Sequence, residues 1–188
     1  MNTLYPIFLK PDKLNILIIG GGNVGLEKLG FLLKSSPDAN VEVISIDFLD
    51  EVLDLAYQHK VKLTQRAFRK KDLKNRSIII SATNNRSKNL KIYQLAKKKN
   101  ILINVADTPD LCDFYLGGIV TKGNVKVAIS TNGKSPTTAK RLRQFFEEVI
   151  PENVDDLVQN LNTYRKTIKG DFNSKVSKLN ELTKTLIK

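Results

Sequence analysis

The feature that constrains this chain most is a short, β-branched apolar run that stops on glycines. Leu14 to Ile19 reads LNILII and is followed by Gly20-Gly21-Gly22-Asn23-Val24-Gly25. A short β-branched run without alternation is what a strand buried on both faces requires. Val24, Leu29, Leu32 and Leu33 then recur at roughly helical spacing until Pro37-Asp38 breaks the pattern. Because a strand precedes it and a helix follows, Gly20-x-Gly22-x-x-Gly25 carries more weight than a bare match. In a dinucleotide fold the first glycine makes the tight turn, the second lets backbone approach a pyrophosphate and the third lets the helix pack closely on the strand. The phosphate charge then sits at the helix N-terminus. Gly20, Gly22, Asn23, Val24 and Gly25 are therefore candidate cofactor residues; the bland alternative is a glycine turn with no ligand.

The alternation continues. Val41–Ile46 predicts a second strand, 47–59 a helix, Val61–Thr64 a short third strand, Ser77–Ser81 a fourth, 86–99 a helix with apolar Leu90, Ile92, Leu95 and Ala96, and Ile101–Asn104 a fifth. Strands alternating with helices imply an α/β fold, a Rossmann-like doubly wound parallel sheet. After Val105 the pattern changes to a loop rich in Asp, Pro and Gly. Ile119–Thr121 and Val125–Ser130 then pair across Lys122-Gly123-Asn124 as a hairpin, and Ser135-Pro136 opens a helix through Ile150 as N-cap and first helical residue. Val154, Leu157, Val158 and Leu161, and later Val176, Leu179, Leu182 and Leu186, mark two amphipathic helices broken at Gly170-Asp171. The expected organisation is a dinucleotide-binding domain at 1–113, a dimerisation and substrate-cleft region at 114–150 and a helical C-terminal region at 151–188.

Three positions along the expected sheet edge carry chemistry. Asp47 lies roughly 25 residues after Gly22, near the distance of about 20 at which an acid meets the adenosine ribose; Ser45 is an alternative for the ribose, and capping of the next helix an alternative for Asp47. Thr83 and Asn84 follow the fourth strand, where small polar residues line a cofactor cleft, unless Asn84 or Asn85 merely caps a helix. Asp107 follows the fifth strand and faces whatever meets a nicotinamide, unless it caps the turn before Pro109. A single cysteine, Cys112, excludes an internal disulfide and suits a reducing compartment; beside the site and without a basic partner, it reads as structural. His59 has no second histidine or cysteine pair near it, so no metal is expected. The N-terminus has no signal-like pattern and no apolar segment approaches the roughly 18 residues of a membrane span, so a soluble cytoplasmic protein is expected.

Charge adds a partner class. The chain carries 31 bases against 19 acids, net +12, and residues 151–188 hold seven bases and five acids, so the excess lies in the first 150. Tryptophan is absent and zinc-finger spacing does not occur, which argues against nucleic acid. A small molecule with several carboxylates or phosphates suits such a charge as well.

Taken in order, Tyr5-Pro6-Ile7-Phe8-Leu9, Ile18-Ile19-Gly20-Gly21-Gly22-Asn23-Val24, Ser81-Ala82-Thr83-Asn84, Asn104-Val105-Ala106-Asp107-Thr108-Pro109-Asp110-Leu111-Cys112-Asp113-Phe114 and Val127-Ala128-Ile129-Ser130-Thr131-Asn132-Gly133-Lys134-Ser135-Pro136 resemble the dehydrogenase part of siroheme synthase. The likeness spans residue 5 to about 150, and its last two segments are the specific ones. It implies a homodimeric precorrin-2 dehydrogenase that uses NAD to form sirohydrochlorin, with Asp107 as the key acid. Thr131 falls where some members carry a phosphorylated serine. The polycarboxylated substrate gives the positive charge an object: Thr131, Lys134, Ser135, Lys140 and Arg141, with Arg143, are candidates to hold it, although a solvated helix face explains any one of them. Gly117 stands in place of a common proline and Asn132 in place of a glycine. No counterpart of the methyltransferase part of the longest members appears. The resemblance leaves open whether iron or cobalt is also inserted into sirohydrochlorin. Without it, a non-catalytic NAD sensor and a nucleic-acid-binding module are the alternatives.

Overall fold

The five strands expected in the first 105 residues are all present in the computed structural model, which describes residues 2–184. β1 (Ile16–Gly21), β2 (Val41–Phe48), β3 (Lys62–Gln65), β4 (Ile78–Ser81) and β5 (Leu102–Val105) form one parallel sheet in the order β3-β2-β1-β4-β5. The chain moves outward from β1 to β2 and β3, then returns across β1 to β4. Strand order therefore reverses between β1 and β4, where a doubly wound sheet opens a crevice at its C-terminal edge.

The strands alternate between two layers. Leu17 and Ile19 of β1, Ile79 of β4 and Ile103 and Val105 of β5 pack with Ile92 and Ala96 of α3 (Arg86–Lys97). Ile16 and Ile18 of β1 and Ile78 and Ile80 of β4 pack with Leu29 and Leu33 of α1 (Asn23–Ser35) and Val52 of α2 (Asp50–Gln58). Each such side chain contributes about 1.5–3 kcal/mol of burial, and helices cover both faces as the missing alternation requires.

Three expectations shift. β2 continues through Asp47 because Phe48 pairs with Gly21 across a register shift in β1. The following helix thus starts at Asp50 with Leu49 as N-cap, and Asp50 and Glu51 occupy the first turn, where acids complement the helix dipole. Asp47 caps nothing. α3 ends at Lys97, with Asn100 in the left-handed region at φ 54°, and Leu90 is exposed.

Two buried carboxylates anchor the crossover from β3 to β4. Asp72 accepts two bonds from the Arg66 guanidinium at 2.7 and 2.8 Å and one from the Arg69 N–H at 2.7 Å. Glu42 pairs with Arg76 and accepts from the Thr64 hydroxyl at 2.7 Å.

By its internal contacts the chain divides into two units, one reaching to Leu116 and including Asn132–Lys134, the other comprising Gly117–Thr131 and the chain from Ser135 on. In the second, β6 (Gly118–Lys122) and β7 (Val125–Ile129) are antiparallel. Lys122 pairs with Val125, so the expected three-residue loop shortens to Gly123-Asn124, with Gly123 at φ 56°. Asp155 holds this tip by accepting from the Asn124 N–H at 2.7 Å and side-chain amide at 2.8 Å. α4 (Pro136–Val149) starts as expected, the Ser135 hydroxyl accepting from the Thr138 N–H. α5 (Val154–Thr167) and α6 (Phe172–Thr183) follow, with Asp171 capping α6. Leu186 lies outside the described residues. Among those described, no helix is long and apolar enough to cross a membrane.

Candidate functional site

Two of the three motif glycines are required by close backbone approach, and the third lies in open space. Gly20, at φ 121°, lies so close to the end of β4 that a Cβ would sit 2.3 Å from the Ala82 carbonyl oxygen. A Cβ on Gly25 would sit 2.0 Å from the Gly20 carbonyl oxygen, so only glycine lets α1 approach β1 there. Nothing lies within 4 Å of the Cβ position at Gly22. Gly22 is also the N-cap of α1, without a capping side chain, and α1 has no acid in its first turn. The first N–H groups of a helix lack intrahelical acceptors and carry partial positive charge. Open space, free N–H donors at Asn23, Val24 and Gly25 and no competing carboxylate fit a pyrophosphate.

Beside this turn, the Gly21 N–H donates to the Ser45 hydroxyl at 2.9 Å. Ser45 is thus tied to the backbone, while Asp47 is exposed two residues further along β2, its own carbonyl against Gly21. On the other side of β1, the chain leaving β4 is held from α3. Asn89 accepts from the Ser81 hydroxyl at 2.9 Å and the Thr83 hydroxyl at 2.5 Å, and donates to the Thr83 carbonyl at 2.9 Å. Asn85 caps α3 through the Lys88 N–H at 2.9 Å; Asn84 is exposed and caps nothing.

At the end of β5 the Thr108 N–H donates to the Val105 carbonyl at 3.2 Å, and Asp107 occupies the turn so closed at φ 56°. A residue other than glycine is uncommon there, aspartate and asparagine being among the better tolerated. Thr108, not Asp107, stands at the N-cap of the turn beginning at Pro109. Asp107 is exposed, and among the described residues no hydrogen bond or ion pair reaches its carboxylate. The loop closes through Cys112, whose thiol meets both the N–H (3.3 Å) and the carbonyl (3.2 Å) of Val105. The Asp113 N–H donates to the Ile103 carbonyl at 2.8 Å, and its carboxylate accepts from the Ile103 N–H at 3.1 Å and from Lys97 at 2.6 Å. Burial pushes the Cys112 thiol up, in keeping with a structural role.

Gly20, Gly22, Asn23, Val24, Gly25, Asp47, Thr83, Asn84 and Asp107 thus share the C-terminal edge of one sheet. Residues 7–118 match the family described as putative NAD(P)-binding, and residues 122–148 match the central region of sirohaem biosynthesis proteins. Siroheme synthases of Pseudoalteromonas translucida (34% identity over 89% of this chain) and Pseudoalteromonas atlantica (36% over 90%) are similar to it. The chain belongs to the NAD(P)-binding family found in siroheme synthases. It spans 35% and 36% of the length of those two relatives. Its fold is that of the solved structure of SirC, a precorrin-2 dehydrogenase, with a TM-score of 0.78 at 20% identity over 95% of this chain and 89% of that one.

The remaining candidates lie in or beside the stretch matching the family's central region. The Thr131 hydroxyl donates to the Ser135 carbonyl at 3.0 Å and accepts from the Ser135 N–H at 3.2 Å, bracing the helix start. Asn132 sits at φ 55°, a left-handed conformation that asparagine tolerates better than most residues. A Cβ on Gly117 would lie 2.2 Å from the Ile129 carbonyl oxygen, so a side chain is excluded there. Lys134, Lys140 and Arg141 are exposed, whereas Arg143 is paired with Glu147 on its own helix and is not a free cation. Among the described residues no cluster of three metal-ligating side chains occurs. Asn89 is the residue that sequence reasoning missed; its signal was its position in line with buried Ile92 and Ala96, where a polar side chain needs a partner.

Proposed function

We propose that this chain oxidises precorrin-2 to sirohydrochlorin in the cytoplasm, with NAD⁺ as the oxidant. The observation that carries the reading is the place of Asp107: an acid without a partner in a strained turn, on the same sheet edge as the open glycine turn. In this reading the α1 N-terminus and Gly22 hold the pyrophosphate, and Thr83 and Asn84 line the cofactor. Asp47 favours NAD over NADP, because a carboxylate beside the ribose repels a 2′-phosphate. Bound NAD⁺ supplies the hydride acceptor. Asp107 takes the proton that leaves the macrocycle as the hydride departs, a role worth about 10²–10⁴ in rate for a positioned base. Thr131, Lys134, Ser135, Lys140 and Arg141 supply hydroxyls and cations for the substrate carboxylates.

Residues 1–113 form the NAD-binding part and 114–150 serve dimerisation and substrate binding, followed by the helical region 151–188. Leu142, Phe145 and Val149 leave an apolar stripe of α4 exposed, which supports pairing with a second copy. Incubation with precorrin-2 and NAD⁺ tests the reading. NADH must rise in step with the sirohydrochlorin spectrum; calorimetric NAD⁺ binding without turnover would reject precorrin-2 as the substrate.

A further inference from the structure

We propose that Asn89 is a positioning residue that fixes the Thr83 hydroxyl as a hydrogen-bond acceptor toward the dinucleotide, so that the site selects a donor of the cofactor, such as a ribose hydroxyl. The inference rests on the cofactor reading above and goes beyond it to a residue outside the glycine motif.

A threonine hydroxyl has one proton and two lone pairs, and its rotation is unconstrained unless a neighbour claims the proton. Here the Thr83 oxygen lies 2.5 Å from Asn89 Oδ1 and 3.3 Å from the Asn85 carbonyl, so the short contact to Asn89 takes the proton. Asn89 cannot turn away. It is buried at 7% exposure, its Oδ1 also accepts from Ser81, which is 0% exposed, and its amide donates to the Thr83 carbonyl at 2.9 Å. Flipping the carboxamide would set its NH₂ against the two hydroxyls and its oxygen against that carbonyl, losing the bond to the carbonyl. The amide orientation therefore follows from the network itself. One Thr83 lone pair receives the Asn85 N–H at 3.3 Å; the other is left as an acceptor. Thr83 is only partly buried and follows Ala82, whose carbonyl packs on Gly20. The acceptor is thereby placed next to the glycine turn.

The test is a double-mutant cycle read by calorimetric NAD⁺ affinity, with thermal unfolding of every variant alongside. Thr83→Val removes the acceptor and Asn89→Leu removes what orients it. Each is expected to weaken NAD⁺ binding about fivefold to tenfold, Thr83→Ser is expected to retain affinity, and the double variant is expected to bind no more weakly than Thr83→Val alone. Additive losses would overturn the proposal, since an Asn89 that only supports the fold weakens binding whether or not Thr83 keeps its hydroxyl. Unchanged affinity in Asn89→Leu would overturn it too. Should Asn89→Leu not fold, Asn89→Ala runs the same cycle. Failure of the cofactor reading is seen separately, as a wild-type protein that binds no NAD⁺ or a Gly22→Asp variant that binds as well as wild type.

Discussion

In the sheet unit, Leu17, Ile18, Ile79 and Ile103 are wholly shielded and helices close both faces, whereas α4, α5 and α6 of the hairpin unit contain no buried residue. Phe145 and Val149 of α4 are 53% and 57% exposed, and the hairpin unit's own buried apolar residues are Val120, Ile129 and Ile168 among those described. The two units therefore use their apolar residues in opposite ways. The first has a finished core, so that its sheet edge can hold strained and open positions such as Asp107 and Gly22. The second presents apolar stripes whose burial requires another surface.

The hardest blow to this contrast falls on the sheet. Ile79→Ala opens a cavity between β4 and the α3 layer and is expected to cost about 3–4 kcal/mol, in the range measured for such truncations; urea unfolding with a loss below about 1 kcal/mol would show that the core is not the shared support described. Next in size is Asp107→Asn, which removes the charge but keeps a residue suited to the left-handed turn at φ 56°. Precorrin-2 oxidation is expected to drop about 10²-fold while NAD⁺ affinity and the unfolding midpoint stay at wild-type values, because the carboxylate is exposed. A parallel loss of stability would instead assign the aspartate to the turn.

Acid provides a third, smaller probe of the sheet unit. The Arg66 guanidinium beside Asp72 holds its carboxyl below the usual carboxylate range; at Glu42 burial pulls upward, and Arg76, Thr64 and Lys62 together outweigh it. Groups with lowered values stabilise the fold fully above their unfolded pKa, about 4, and that contribution vanishes as pH falls through the folded values. Melting temperatures compared at pH 7 and pH 3 should therefore differ less in Arg66→Met than in wild type, with the loss at pH 7. An equal gap in both proteins would remove Asp72 from the account. The smallest effect on folding belongs to the hairpin unit: Phe145→Ser is expected to change unfolding free energy by less than about 1 kcal/mol yet shift light scattering from dimer toward monomer. A wild-type monomer at micromolar concentration would count against the pairing proposed for α4.

What was legible in the sequence follows the same divide. Strands buried on both faces leave apolar runs, which made β1, β2, β4 and β5 visible; β3, a short and largely polar edge strand, was visible through its place after the second helix, and Ser135-Pro136 marked its helix because capping is local chemistry. Where β2 stops was not visible: Asp47 reads as a helix start, and only the pairing of Phe48 with Gly21 keeps it in the strand. At the site, the glycine turn was legible because backbone approach restricts residue type. Asn89 was legible only as a polar residue in line with apolar Ile92 and Ala96; its partners were not, since Ser81 and Thr83 lie across a loop. The twofold grip of Cys112 on Val105 was likewise out of reach, because it depends on a loop returning to a strand from which it has just departed.

That returning loop has a consequence for the molecule in a crowded solution. β5 is the last strand of the sheet, and an outer strand with bare N–H and carbonyl groups is a template on which another chain can add itself, the first step of aggregation. Here the outward groups of Ile103 are taken by Asp113 and those of Val105 by Cys112. The segment that carries Asp107 beyond β5 also ends the sheet, so a deletion that shortened it would expose a sticky margin as well as remove an acid.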